Sequence, residues 1–230
     1  MRPLFFAIMI PFVDIHTHQP SHAQTVVEVV NKLPFDVKTE PSGFFSAGVH
    51  PWYIEGEQME AYRHWLEELL IDPHCLMVGE AGLDGSCLTG EDVQRRFFQW
   101  QIALSASLKK PLLVHCVRKY NEMIVLSDRY NSHPHWILHG FQSSVEMVHH
   151  LLERNFLFSF GAALLRPNTK LVASLRAIPV DRLFFETDDS GLPIGQIYHA
   201  AAAILELDVE LLKEMIFNNF NRLFNVDKLA

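Results

Sequence analysis

Short apolar segments alternate with longer amphipathic segments along almost the whole chain, and this alternation restricts the fold more than any other feature. The short runs predict buried strands, and the segments between most of them have the spacing of helices that bury one face. Strands that alternate with helices form parallel sheets, and eight of them can close a (β/α)8 barrel. The eight predicted strands are Phe12–His16, Thr25–Val30, Phe44–Val49, Leu76–Glu80, Leu112–His115, Trp136–His139, Phe156–Phe160 and Leu183–Thr187.

The predicted helices are Glu57–Leu70, Gly90–Leu108, Lys119–Tyr130, Val145–Glu153, Asn168–Ala177, Gly195–Glu206 and Asp208–Phe224. About eight residues separate the first two strands, which is too few for a helical crossover. We therefore expect one α/β domain over residues 1–230, folded as a TIM-type barrel whose first helix is missing. Residues 1–8 are a candidate amino-terminal extension of this domain.

The composition excludes several classes of protein. Hydrophobic residues make up 49% of the chain, which is enough for a sizeable core and rules out intrinsic disorder. Nineteen Lys and Arg against 27 Asp and Glu give a formal net charge of −8, which argues against tight nucleic-acid binding through phosphate neutralisation. Three cysteines without a C-x-x-C pair predict neither a disulfide framework nor a zinc knuckle, and indicate a cytoplasmic protein. The apolar run near Met1 is too short to span a membrane, so no membrane association is expected.

Metal-ligand side chains recur at the carboxyl ends of the predicted strands, where barrel enzymes place their active sites. His16 and His18 are two residues apart, so both rings point to one side of an extended strand and can face one ion. Glu80 ends an apolar strand, where an ionised carboxylate is costly without a cation. His115 and His139 each follow a hydrophobic run. Any one of these histidines alone is more often a surface or hydrogen-bonded core residue, but the set together predicts a metal site.

Asp188 follows the apolar run Leu183–Phe185 and has two interpretations. It either caps a helix or a turn together with Asp189 and Ser190, or it binds a metal ion and acts as a general base.

Taken in order, the motifs DIHTH, GVHPW, GEAGLD, VHCVR, LHGF and FFETD resemble those of the TatD family of metal-dependent hydrolases. The resemblance extends from about Phe12 to Phe224 and includes the closing run Asn218–Phe224. It implies a (β/α)8 barrel that binds two, or sometimes three, divalent ions, with Zn, Mn, Mg and Co as candidates. It also implies DNase activity, which in some members is 3′→5′ exonuclease activity.

Carried over by position, the resemblance implies that two ions share six ligand residues: His16, His18 and Asp188 at the first ion, His115 and His139 at the second, and Glu80 between them. Two ions ~3.5–4 Å apart can polarise a phosphoryl oxygen and neutralise developing charge. Asp188 would also accept the proton of the attacking water. Asp188 and Glu80 are therefore the predicted catalytic residues.

Residues around these positions have less specific roles. Asp14 and Glu186 either orient the histidines or are plain structural carboxylates. His50 is either a phosphate contact at the mouth of the barrel or a loop histidine. Arg118 is a candidate phosphate ligand, and Trp52 a candidate aromatic surface for a nucleobase.

The sequence departs from the family pattern near the predicted mouth. The family's His-x-Arg is here His115-Cys116-Val117-Arg118, Gly85 stands where a tyrosine usually follows Gly-Leu-Asp, and ETDAP is replaced by ETDDS. Because substrates are selected at the mouth, the resemblance supports metal binding more strongly than DNase activity.

Three functions fit these observations. The first is a metal-dependent phosphodiesterase or deoxyribonuclease that acts on weakly bound DNA ends or short oligonucleotides, without an obligate protein partner. The second is a deacylase, lactonase or deaminase of the wider amidohydrolase group, although such enzymes more often have a carbamylated lysine where Glu80 stands. The third is a non-catalytic metal-binding barrel, which the presence of all six ligand positions disfavours.

Overall fold

The computed structural model describes residues 10–34, 43–54, 58–130 and 134–226. In these ranges eight strands pair in chain order, each parallel to the next. The strands are β1 (Phe12–Thr17), β2 (Val26–Lys32), β3 (Phe44–Ala47), β4 (Cys75–Asp84), β5 (Leu112–Val117), β6 (Trp136–Leu138), β7 (Leu157–Phe160) and β8 (Leu183–Phe185). All eight predicted strands are present.

The sheet closes on itself between β1 and the residues that follow β8. Thr17 and Asp188 form a parallel bridge. The Asp188 N–H donates to the His16 carbonyl, and the His18 N–H donates to the Asp188 carbonyl, each over 3.0 Å. The predicted TIM-type barrel is therefore confirmed as a nearly closed barrel, and its seam runs through three of the predicted metal ligands.

Seven helices cover the outside of the described barrel: α1 (Met59–Leu70), α2 (Glu91–Leu108), α3 (Tyr120–Arg129), α4 (Val145–Leu152), α5 (Thr169–Ala177), α6 (Ile194–Leu205) and α7 (Val209–Phe224). Residues 18–25, which connect β1 to β2, contain no helix, as the short connection predicts. The helix predicted from Glu57 begins at Met59, and Glu57 lies outside the described residues. The candidate extension at residues 1–8 also lies outside them.

Polar side chains at the helix starts explain where several helices begin. Ser144, Asn168 and Asp208 each accept a hydrogen bond from a backbone N–H in the first turn of α4, α5 and α7, respectively. Such capping satisfies donors that the helix itself leaves unpaired. The capping residues therefore fix where α4 and α5 begin after the loops of the mouth. The cap of α7 fixes where that helix begins after α6.

Strand ends differ most from prediction at the mouth. β4 was expected to end at Glu80, but it continues to Asp84 because Ala81–Leu83 are buried as well. β3, β6 and β8 end one or two residues earlier than predicted, at Ala47, Leu138 and Phe185. The chain leaves the sheet there, so the polar side chains after these strands are held by loops rather than by strand pairing.

The interior is strongly aromatic, and the end of the barrel opposite the mouth is closed by α7. Phe45, Phe158 and Phe184 are almost fully buried. The Asn219 side-chain amide donates to the carbonyls of Val180 and Leu183, which ties α7 to the start of β8. Among the described residues, no helix combines the length and apolar character that crossing a membrane requires.

Candidate metal centre

The six residues predicted as metal ligands lie together in the mouth of the barrel. They come from the ends of β1, β4 and β5 and from the residues just after β6 and β8: His16, His18, Glu80, His115, His139 and Asp188. The βα order of the chain explains this meeting, because parallel strands bring all their carboxyl ends to the same rim.

The carboxylate of Glu80 lies at the centre of the cluster. Its Oε1 is 2.7 Å from His139 Nε2 and 2.9 Å from His115 Nδ1. Its Oε2 is 3.5 Å from His16 Nε2 and 3.6 Å from His18 Nε2. The two oxygens thus face two separate pairs of histidines, which is the arrangement that a carboxylate bridging two cations needs.

Asp188 completes the group of donors around the first pair of histidines. Its Oδ1 is 3.2 Å from His16 Nε2 and 3.6 Å from His18 Nε2. The residue has φ of 52°, and the seam hydrogen bonds hold it in this left-handed conformation. Three groups of side chains could each hold an ion, because the donor atoms within a group all lie within 4.8 Å of one another. The groups are His16, His139 and Asp188; His16, His18 and Glu80; and His50, Glu80 and His115.

The surroundings of His16 fit a bound cation. The residue is fully buried, and neither ring nitrogen has a hydrogen-bond partner within the described part of the chain. A buried polar atom without a partner costs free energy, and a cation bound to Nε2 would remove that cost. The donors present are imidazole nitrogens and carboxylate oxygens, which suit the Zn, Mn or Co class of divalent ions.

Outer carboxylates define which nitrogen of two histidines faces inward. His115 Nε2 lies 3.1 Å from Asp84 Oδ2, and His139 Nδ1 lies 3.4 Å from Glu186 Oε1. In the metal-bound protein, a proton on each outer nitrogen would leave His115 Nδ1 and His139 Nε2, which face Glu80 Oε1, free to bind the ion. Carboxylates commonly orient metal-binding histidines in this way.

The charges in the centre depend strongly on one another. Burial alone would raise the pKa of Glu80, but His139, His115 and His18 outweigh it and hold that pKa well below its usual value. Burial would lower the pKa of His139, but Glu80 and Glu186 raise it well above its usual value. The protein alone therefore balances its carboxylates with protons on histidine, and a metal ion must displace these protons to bind.

His50 lies closer to the centre than a loop histidine would. Its Nε2 is 3.4 Å from Glu80 Oε1, and its Nδ1 accepts a hydrogen bond from the Trp52 N–H. Burial lowers the pKa of His50 to about 4, so the ring is neutral near pH 7. Because Nδ1 accepts, the proton is on Nε2, which makes this nitrogen a hydrogen-bond donor rather than a metal ligand.

Asp14 and Glu186, which the sequence predicts to be either histidine-orienting or structural carboxylates, have different hydrogen-bond partners. Glu186 contacts His139, as an orienting residue would. Asp14 instead accepts hydrogen bonds from the Thr187 N–H (3.0 Å) and the Thr187 hydroxyl (2.6 Å), and its oxygens have no hydrogen bond to a histidine ring within the described ranges. Burial raises the pKa of Asp14 to about 7, against these hydrogen bonds. Asp14 thus holds the residue next to Asp188.

Asp84 and Thr187 belong to the site but were not among the site residues predicted from the sequence. Asp84 Oδ2 accepts from the Trp52 indole N–H over 2.7 Å and also lies beside His115. Thr187 connects Asp14 to the seam. The sequence signal for Asp84 was its place in the run GEAGLD, but its contacts depend on β4 continuing past Glu80.

The predicted substrate residues lie at the rim. Trp52 is 62% exposed although its indole N–H is bound, so the ring presents an open face in a fixed orientation. Arg118 follows β5, is exposed, and has φ of 57°. Cys116 lies between His115 and Arg118, and burial raises the pKa of its thiol to about 12.

A nearly closed parallel barrel with histidines and carboxylates gathered at its carboxyl-end rim defines a class of metal-dependent hydrolases. The profile of one family in this class, described as TatD related DNase, matches residues 11–225. The chain belongs to this family, so the family resemblance of the sequence motifs is confirmed.

Related sequences include both uncharacterised and named enzymes. An uncharacterised metal-dependent hydrolase of Buchnera aphidicola is 28% identical over 83% of this chain and 77% of its own. The 3′-5′ ssDNA/RNA exonuclease TatD of Salmonella typhimurium is 29% identical over 64% of this chain and 58% of its own. The human 3′-5′ RNA nuclease TATDN2 is 30% identical over 61% of this chain and 19% of its own.

Solved structures support the same fold. The TatD homologue YJJV of Escherichia coli superposes with a TM-score of 0.79 at 19% identity, covering 95% of this chain and all of its own. A TatD family hydrolase of Entamoeba histolytica gives a TM-score of 0.73 at 14% identity, covering 93% and 97% of the two chains.

Proposed function

We propose that this protein is a metal-dependent phosphodiesterase that cleaves nucleic-acid ends or short oligonucleotides. The observation that carries the proposal is the central position of Glu80, whose two oxygens face two pairs of histidines. We infer that His16, His18 and Asp188 hold one divalent ion, that His115 and His139 hold a second, and that Glu80 touches both. When bound, such ions act as Lewis acids toward a phosphoryl oxygen and lower the pKa of the attacking water.

Asp188 is the residue best suited to accept the proton of that water. Burial alone would raise its pKa, but the His16 ring, whose Nε2 is 3.2 Å from Oδ1, outweighs burial and holds the pKa below its usual value. The carboxylate is therefore ionised at neutral pH, and its side chain is 38% exposed, so it is open to the mouth. A general base must be both ionised and within reach of the proton it removes.

The rim supplies groups that fit a phosphodiester. The Nε2–H of His50 can donate to a phosphoryl oxygen without adding charge to the centre. Arg118 is exposed and has no ion-pair partner among the described residues, so its guanidinium is available for phosphate. The open face of Trp52 suits a stacked, unpaired base. The Salmonella and human relatives named as 3′-5′ nucleases support this choice of substrate.

A substrate panel tests the proposal. The protein is loaded separately with Zn, Mn, Mg and Co and assayed against dinucleoside phosphates, single-stranded oligonucleotides, lactones and N-acyl amino acids. We expect metal-dependent cleavage of the phosphodiesters. Cleavage of lactones or amides at ordinary enzymatic rates, with phosphodiesters left intact, would establish an amidohydrolase-type function instead.

Replacing the inferred base gives the first prediction. Asp188→Asn should lower kcat by ~10²-fold or more, because loss of a general base typically costs ~10²–10⁴. Asp128 is exposed near the end of α3, so Asp128→Asn is a matched control that should leave kcat unchanged. Steady-state kinetics on the metal-loaded variants provide the measurement. Full activity of Asp188→Asn with unchanged metal content would remove Asp188 from the mechanism.

A further inference from the structure

A small pocket lies beside Asp188, between the loops that follow β6, β7 and β8. Its volume is about 190 Å³, below the ~300–1,000 Å³ of pockets that enclose a whole ligand. Much of its wall has little or no side chain, because it is formed by Gly140, Gly161, Ala162 and Ala163. The pocket therefore has room for one part of a substrate whose reacting group lies at the metal centre.

Glu186 lines this pocket and has one oxygen without a partner. Its Oε1 accepts a hydrogen bond from the Gly140 N–H over 2.6 Å and faces His139 Nδ1. Its Oε2 is buried and has no hydrogen-bond partner within the ranges that the structure describes. The whole residue is 1% exposed. Oε2 is covered by protein, so it makes the surroundings of the pocket electronegative without itself contacting a ligand there.

The charge of the pocket indicates which part of a substrate it takes. Its lining includes the carboxylates of Glu186, Asp188 and Asp189, and contains no lysine, arginine or histidine. A phosphate would be repelled there, whereas a neutral group with hydrogen-bond donors would not. Phe141 and Phe160 add apolar surface beside these acceptors. A sugar ring, with apolar carbons and hydroxyl donors, has both properties.

We propose that this pocket binds the sugar of one nucleoside next to the scissile phosphate, and that the exposed Asp189 carboxylate in its lining accepts a hydrogen bond from a sugar hydroxyl. The proposal rests on the proposed function, which places the phosphate at the metal centre. The Trp52 indole contacts Asp84 at the end of β4, whereas the pocket lies among residues after β6, β7 and β8. The two places would therefore bind different parts of the substrate, a base at Trp52 and a sugar beside Asp189.

The first test fills the pocket without touching the metal ligands. Ala162→Leu should raise KM for a dinucleoside phosphate about 10-fold or more, because the sugar would lose its space. The same variant should leave KM for bis(nitrophenyl) phosphate unchanged, since that substrate has no sugar. Ala173→Leu is the matched control, because Ala173 is exposed on α5. It should leave both KM values unchanged.

The second test removes the hydroxyl groups from the ligand and measures binding instead of activity. Isothermal titration calorimetry on the Mn-loaded wild-type protein compares a nucleoside 5′-monophosphate with its 2′,3′-dideoxy analogue. We expect the analogue to bind about 10-fold or more weakly, because a site built for a hydroxyl discriminates against its loss. The Ala162→Leu variant should bind both ligands equally weakly.

The outcomes separate the two proposals. Cleavage of dinucleoside phosphates that responds neither to Ala162→Leu nor to hydroxyl removal would overturn the sugar pocket and leave the phosphodiesterase function standing. Hydroxyl-dependent binding that Ala162→Leu abolishes, in a protein that cleaves no phosphodiester with any of the metals, would support the pocket and overturn the proposed reaction.

Discussion

His16 in β1 and His18 just after it differ in burial. His16 is completely buried and finds no hydrogen bond within the described residues, whereas the His18 side chain is 25% exposed at the rim. A ring placed like His16 is costly in the protein alone, so its position is explained by what it binds. Both Nε2 atoms face Glu80 Oε2 and Asp188 Oδ1, which makes this pair the clearest test of metal binding.

Removing these two rings should therefore remove metal. We expect a His16→Ala/His18→Ala double variant, purified without chelator, to contain about one divalent ion fewer per chain than the wild type, because two of the four inferred protein ligands of that ion are lost. His64→Ala/His74→Ala is the matched control, since both side chains are exposed. Elemental analysis gives the result. Equal metal in the wild type and both double variants would contradict the assignment of the first site.

Thr187 connects a buried carboxylate to the candidate metal centre and is not one of the inferred ligands. Its hydroxyl donates to Asp14 Oδ2 and lies 2.9 Å from Thr17 Oγ1, next to the backbone bridge that holds Asp188. Without this hydroxyl, the Thr187 N–H would donate the main remaining hydrogen bond from the loop after β8 to Asp14. We infer that Thr187 is a positioning residue for Asp188.

Substitution at Thr187 should affect both stability and metal affinity. Thr187→Val keeps the shape of the side chain but removes the hydrogen bond to a buried carboxylate. We expect a loss of about 1.5–3 kcal/mol in the free energy of unfolding and metal affinity weakened by about 10-fold or more. Thr187→Ser keeps the hydroxyl and should retain most of the affinity. Urea unfolding and competitive metal titration give the two values, and equal affinity in all three proteins would reduce Thr187 to a packing role.

At the scale of elements, β4 brings more of the site together than any other strand. It contributes Glu80 and Asp84, and it pairs with β5 so closely that Gly82 lies directly against His115. A Cβ added at Gly82 would overlap the carbonyl oxygen of His115. The glycine therefore sets the separation of the two strands that supply the second group of ligands.

The close approach of β4 to β5 at Gly82 can be tested by substitution. Gly82→Ala must push β5 away from β4, so we expect a loss of more than ~2 kcal/mol in the free energy of unfolding, or failure to fold. Gly90→Ala is the matched control, because a Cβ at Gly90 meets no atom within 4 Å. The measurement is the urea midpoint of each variant. A Gly82→Ala protein as stable as the Gly90→Ala protein would show that the β4–β5 spacing is adjustable.

The order of the elements could be predicted from sequence because hydrophobic periodicity reports burial, and each of the eight described strands contributes buried residues to the core. The mouth was harder to predict for a physical reason. Contacts such as that of Asp84 with His115 and Trp52 join residues from different strands, and they depend on where each strand leaves the sheet. The six ligand positions were predictable because each follows a recognisable apolar run. Thr187 was not, because its role arises only when the barrel closes.

At the scale of the whole molecule, the proposed function requires a protein of formal net charge −8 to attract a polyanion. Most of the surface therefore opposes the approach of a nucleic acid, and binding has to come from the bound ions and a few groups at the rim. Arg118 is the rim cation with no ion-pair partner among the described residues, and Trp52 adds an open aromatic face. A cation that binds phosphate and a single aromatic face carry no readout of base edges.

We therefore expect weak DNA binding that falls steeply with salt, cleavage that favours single-stranded ends over intact duplex, and no sequence preference, because stacking on one aromatic ring requires an unpaired base. Arg118→Ala should mainly raise KM, by roughly threefold to tenfold, since its phosphate contact is shared by the ground and transition states. Arg129→Ala is the matched control, because Arg129 is exposed at the opposite end of α3. Initial rates on single-stranded and duplex oligonucleotides at increasing salt test all three expectations. If duplex and single strands are cleaved equally, and Arg118→Ala leaves KM and its salt dependence unchanged, the rim residues do not select the substrate, and the bound ions alone must overcome the negative charge of the protein.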